Sequence, residues 1–114
     1  MFKKNNTKGI EVVKGNFKHT LPLLFMKLNT FDLLYIDGDH TYDSTKFYFE
    51  TALKYKHNNS VIIFDDIYWS KEMTRCWREI KEHHEVNLSI DCFYFGMVFF
   101  KNEIKQKKHF ELYV

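Results

Sequence analysis

The sequence predicts an α/β fold built on a mostly parallel sheet, and three observations predict it. Two short apolar runs, Phe31–Asp37 (FDLLYID) and Ser60–Asp65 (SVIIFD), each stop abruptly at carboxylates. Runs of that length read as strands buried on both faces, the kind found in parallel sheets. A helix-length segment separates them, the spacing of adjacent parallel strands joined by one crossover. Strand-like and helical segments also alternate along most of the chain before a terminal pair of strands. That order builds a parallel sheet whose right-handed crossovers lay helices on its faces.

Each element follows from local chemistry. Residues 1–8 are polar apart from Met1 and Phe2, and are expected to fray. Ile10–Lys14 (IEVVK) is a short strand ending at Gly15-Asn16. Thr20 can cap a helix with Pro22 in its first turn, and Leu21, Leu24, Phe25 and Leu28 line one face of it. After the Phe31–Asp37 strand, Asp43 or Ser44 can cap a second helix running to about Lys56, with Phe47, Tyr48, Ala52, Leu53 and Tyr55 as its apolar stripe. His57-Asn58-Asn59 turns the chain into the Ser60–Asp65 strand. Ser70 caps a third helix, in which Met73, Cys76, Trp77 and Ile80 fall at helical spacing and Glu82–Glu85 closes the run. Val86–Lys101, containing Gly96, reads as two strands tightly joined, and Phe110–Val114 as a last edge strand.

The totals bound the class. At 114 residues the chain is one domain with a modest core. A net charge of +2 does not point to a nucleic-acid partner. No apolar run reaches transmembrane length and no apolar leader follows the first basic residues, so a cytoplasmic protein is expected. Cys76 and Cys92 lack metal-site spacing and suit reduced thiols in a core.

Function is expected where the strands end, because open α/β sheets collect ligands outside the carboxyl ends of their strands. Asp37, Asp65 and Asp66 would there repel one another, and a hard divalent ion such as Mg²⁺ or Ca²⁺ relieves that. The plainer alternative is that carboxylates end strands and cap helices. That is the reading adopted for Asp43 and Ser70, whereas Asp37, Asp65 and Asp66 are read as ligands. His40 can take a proton from a substrate hydroxyl, or occupy a surface turn. Asp39 can bind a ligand or shape the same turn. Tyr42, Tyr68 and Trp69 can stack on a flat ligand, although a core role is the commoner fate of such residues. His83 and His84 read as partners of a helix C-terminus that do not face each other. Lys105, Lys107 and Lys108 read as a solvated face.

The segments YIDGDHTYDS and IIFDDIYWS, preceded by GIEVVKGNFKHTLPLLF, resemble the second half of a class I S-adenosylmethionine-dependent methyltransferase, in its O-methyltransferase-like branch. The resemblance runs from about Ile10 to Phe100. It implies a partial Rossmann-like sheet, mostly parallel with a C-terminal antiparallel strand pair and lacking the family's strands 1 and 2. Ile10–Lys14 resembles strand 3, Phe31–Asp37 strand 4 and Ser60–Asp65 strand 5. By the same resemblance Asn16 and Phe17 flank the adenine, while Asp37, Asp39 and His40 lie against the cofactor. Asp37, Asp65 and Asp66 fall at the metal positions, with Asp66 in place of the usual Asn. His40 falls where a catalytic Lys is common.

The glycine-rich turn after strand 1 and the ribose-binding acid after strand 2 have no counterpart here. The resemblance therefore implies a truncated domain that alone binds cofactor weakly or not at all. Strand 3 should either pair directly with strand 4 or leave an exposed edge that invites self-association. The expected activity is methyl transfer from S-adenosylmethionine to the hydroxyl of a small molecule, with Asp37 and His40 catalytic. The alternatives are a metal-dependent hydrolase or phosphotransferase using the same carboxylates, and a non-catalytic remnant or interaction module.

Overall fold

The computed structural model describes residues 3–4, 10–14, 30–37 and 41–112. Among the described residues there are seven strands: β1 (Lys3–Lys4), β2 (Ile10–Lys14), β3 (Leu33–Asp37), β4 (Val61–Asp65), β5 (Leu88–Asp91), β6 (Phe95–Phe99) and β7 (Lys108–Glu111). The two described helices, α1 (Tyr42–Leu53) and α2 (Lys71–Lys81), follow β3 and β4 respectively. The strands form one sheet in the order β1-β2-β3-β4-β6-β5-β7. β2, β3 and β4 are parallel neighbours, while β4–β6 and β6–β5 are antiparallel. The α/β class, the parallel centre and the antiparallel pair agree with the sequence reading. The strand read as the family's strand 3 pairs directly with that read as strand 4, from Ile10↔Leu33 to Lys14↔Asp37. The helix expected over Leu21–Leu28 lies outside the described residues.

Several boundaries are corrected. α1 is capped by Thr41, not Asp43 or Ser44: its Oγ1 accepts the Ser44 N–H at 3.3 Å, and the helix ends at Leu53. Ser70 caps α2 as expected, accepting the Met73 N–H at 3.1 Å. Lys3 and Lys4, expected to fray, pair with Val12 and Glu11, because even two residues can complete an edge. Gly96 lies within β6, the second of the two strands expected over Val86–Lys101, directly beneath the Trp77 ring. Cys76 and Cys92 are both buried free thiols, as expected.

Burial alternates along the strands. One face carries two rows, Leu34–Ile62–Val98–Ser89 and Ile36–Phe64–Gly96–Asp91, in register across four strands and all buried. The core gathers on that face, where Tyr48, Phe49 and Ala52 of α1 and Cys76, Trp77 and Ile80 of α2 meet the two rows. Phe49 and Trp77 each pack a tilted ring against Phe64, at 6.1 and 6.2 Å. The expectation that β3 is buried on both faces is corrected. Leu33, Tyr35, Val61, Ile63, Met97 and Phe99 on the other face are half-buried, since both described helices pack the first. Consecutive strand order explains this: right-handed crossovers running one way across a sheet deposit their helices on the same side. Among the described residues no helix is long and apolar enough to cross a membrane.

Candidate functional site

β3, β4 and β5 run in one direction, so their carboxyl ends share a rim of the sheet. Asp37 ends β3 and Asp65 ends β4, each one residue beyond the paired Ile36↔Phe64. The two segments that carry the predicted ligands therefore lie side by side. Asp65 is half-buried, and its Oδ1 accepts the Asp66 N–H at 3.0 Å. Asp66 turns the chain with φ 56°, a left-handed conformation that Asp tolerates better than most residues. Its N–H also reaches the Tyr94 carbonyl at 2.8 Å, joining the β4–α2 loop to the β5–β6 hairpin. Asn16, Phe17, Asp39 and His40 lie outside the described residues.

Asp91 is the residue on this rim that sequence reasoning missed. Its signal was the same one, a strand ending in Asp, but its neighbours Cys92 and Phe93 disguised it as part of an apolar hairpin. It is fully buried, next to Gly96 in the helix-facing row. Its carboxylate accepts the Tyr68 hydroxyl and, at 2.8 Å, the Phe93 N–H. Such a burial is tolerable only because the charge is hydrogen-bonded. Phe93 has φ 72°, which for a bulky side chain is a strained backbone, and strain of this kind persists only where surroundings enforce it.

Other candidates are resolved by their contacts. Tyr68 and Trp69 are exposed rather than core. Together with Asp66, Phe93 and Tyr94 they line a cleft of about 290 Å³ at the rim. Tyr42 is engaged away from it: its hydroxyl bonds Glu79 and the Arg75 guanidinium lies over its ring at 4.3 Å. The hydrogen bond from Tyr42 holds the Glu79 carboxyl below the usual carboxylate range. His83 and His84, read as not facing each other, stack with centroids 4.4 Å apart, because the chain leaves α2 just before them and the helical 100° rotation no longer separates neighbours. Burial, with the neighbouring His84, pulls the His83 imidazole down. Lys107 is not merely solvated: its Nζ donates to the Lys81 and His83 carbonyls, at 3.0 and 2.6 Å, at the end of α2.

Among the described side chains, two groups bring three metal-type ligand atoms within 4.8 Å of one another, His83–His84–Glu85 and Asp91–His109–Glu111. Asp65 and Asp66 belong to neither. As a donor set, adjacent carboxylates at a strand end are chemically suited to a hard, oxygen-seeking divalent cation.

A family model described as a methyltransferase domain matches residues 2–67, more than half of the chain. The match spans β1 to β4 and includes both Asp65 and Asp66. No match was found among curated proteins.

Proposed function

The chain belongs to the methyltransferase-domain family, and on that premise we propose that it serves the transfer of a methyl group from S-adenosylmethionine to the hydroxyl oxygen of a small molecule. The observation that carries this reading is the side-by-side ending of β3 and β4 in Asp37 and Asp65, with Asp66 next in the chain. When bound, the donor supplies a methyl group already activated on a positively charged sulfur. The chain's own residues would do the rest. Asp37, Asp65 and Asp66 would hold Mg²⁺ or Ca²⁺ against the acceptor oxygen, making its proton easier to remove. His40, three residues beyond Asp37, would take that proton as the O–CH₃ bond forms and the S–CH₃ bond breaks. Asn16, Phe17, Asp37, Asp39 and His40 are the proposed cofactor contacts.

Donor binding by residues 1–114 alone should be weak. Doubly wound sheets bind such ligands in the crevice where strand order reverses, and β2, β3 and β4 are consecutive without a reversal. The activity is tested by incubating the protein with saturating methyl-labelled S-adenosylmethionine, Mg²⁺ and a set of hydroxylated small molecules. The expected result is labelled methyl ether, reduced at least tenfold by EDTA and by Asp65→Asn. Transfer confined to nitrogen acceptors, transfer indifferent to both perturbations, or no transfer at all contradicts the proposal.

A further inference from the structure

The rim carries a second feature, lying beyond the matched residues 2–67 except for Asp66, which is all that it shares with the methyl-transfer reading. Among the described residues, the cleft of about 290 Å³ is lined by four aromatic rings, Tyr68, Trp69, Phe93 and Tyr94, and by one charged group, the Asp66 carboxylate. Trp69 and Tyr94 are 65% and 67% exposed. Exposed large rings grouped together mark a binding surface, and a cleft this size suits part of a small molecule.

The rings are held, not loose. Buried Asp91 ties the Tyr68 hydroxyl and the Phe93 N–H to one carboxylate. The Asp66 N–H bonds the Tyr94 carbonyl at 2.8 Å, and the Trp69 N–H bonds the Asp66 carbonyl at 3.0 Å. Both left-handed residues noted above, Asp66 and Phe93, line this cleft. Phe93 and Tyr94 stand at 83° to each other with centroids 5.0 Å apart, and Tyr68 lies 5.8 Å from Phe93 at 38°. These are differently inclined walls, not one flat stacking shelf. Aromatic walls beside a carboxylate attract a poorly hydrated organic cation, through the negative ring faces and the full negative charge. A second depression that Tyr68 also borders is lined by Lys71 and Arg78 with Ser70 and Thr74, so positive charge is disfavoured there.

We propose that the cleft formed by Asp66, Tyr68, Trp69, Phe93 and Tyr94 is a binding site for a small organic cation of the alkylammonium class. Its assignment as the place where the acceptor's cationic group docks rests on the methyl-transfer reading in the form in which Asp37 and Asp65 hold the divalent ion and the Asp66 carboxylate is left to the acceptor. The acceptor is then a hydroxylated alkylammonium compound.

The test compares choline with its uncharged carbon analogue 3,3-dimethylbutan-1-ol, by amide NMR titration of the whole chain without any methyl donor. Choline should shift the amides of residues 66–69 and 93–94 and bind about tenfold more tightly than the neutral analogue. Trp69→Ala should weaken choline at least fivefold, and Asp66→Asn should abolish most of the preference for the charged ligand. Trp69 is exposed, so its replacement leaves the fold intact. Equal binding of the two probes, shifts elsewhere, or no binding overturns the site. Displacement of choline by S-adenosylmethionine but not by S-adenosylhomocysteine, which lacks the sulfonium charge, overturns the acceptor assignment, since the cleft would then be taking the donor. Because choline binding is read without turnover, failure of methyl transfer would leave a positive result here intact, and the reverse also holds.

Discussion

Gly96→Ala should destabilise the domain by about 3 kcal/mol, at the upper end of the range for overpacked cores. A Cβ at position 96 would stand 2.4, 2.6 and 2.7 Å from three carbons of the Trp77 ring. Carbon atoms in contact normally lie about 3.5–4.0 Å apart, so roughly an ångström must be found. Trp77 cannot supply it by turning away. It is 2% exposed, packed on Phe64, and anchored in the middle of α2, whose retreat would uncover Cys76 and Ile80 as well. Urea unfolding followed by tryptophan fluorescence, with an unchanged slope, measures the loss. In a domain of this size the same change lowers Tm by roughly 10–15 °C. A smaller ring relieves the overlap, so Trp77→Phe should recover part of the deficit in the double variant and give a favourable coupling energy. Trp77→Phe alone should cost less than a usual core truncation, because the Trp77 Nε1 is buried with no acceptor among the described residues. A Gly96→Ala variant within about 0.5 kcal/mol of the parent, or two substitutions that simply add, would refute the seating of Trp77 over β6.

Three further outcomes follow from titrating and capping groups. Burial pushes the Cys76 thiol up to about 12 from 9.0, so stability is intact below pH 9 and is lost as pH rises from there toward 12. In a Cys92→Ser background, iodoacetamide should label Cys76 only on unfolding, and labelling of the native protein at the rate of a free thiol contradicts this. His83 is held below its ordinary 6.5, so its contribution is present above pH 6.5 and is lost as pH falls through the depressed value; an NMR midpoint at or above 6.5 would be the wrong sign. Lys107→Met keeps the aliphatic stem but removes both bonds to the end of α2, and should cost about 0.5–1 kcal/mol in the same urea assay, against no change if the lysine is only solvated.

What was legible in the chain was whatever short-range chemistry decides. The β3 and β4 runs announced themselves through apolar blocks that stop in carboxylates, and α2 through its Ser70 cap and the Met73–Cys76–Trp77–Ile80 spacing. Thr41 was passed over because Asp43 and Ser44 offer equally good capping oxygens within three residues, and only the backbone path selects among them. The remaining features depend on partners distant in sequence. Nothing near Gly96 reveals that Trp77 will press on it, nothing near Lys107 reveals the carbonyls of α2, and the pairing of Lys3–Lys4 depends on β2. Asp91 was hidden for a related reason: its value comes from Tyr68, 23 positions away in the chain.

On the proposed reading, the ligands of a methyltransferase gather where β3 and β4 end. This is tested most directly by amide NMR of the isotopically labelled chain, titrated with S-adenosylhomocysteine into the millimolar range and separately with Mn²⁺ as a broadening probe. The homocysteine derivative should shift the amides of Lys14 and Asp37, Mn²⁺ should broaden those of Asp65 and Asp66, and Asp65→Asn should remove the broadening. Shifts confined to β7 or α2, or broadening centred on the His83–Glu85 or Asp91–His109–Glu111 groups, would contradict it.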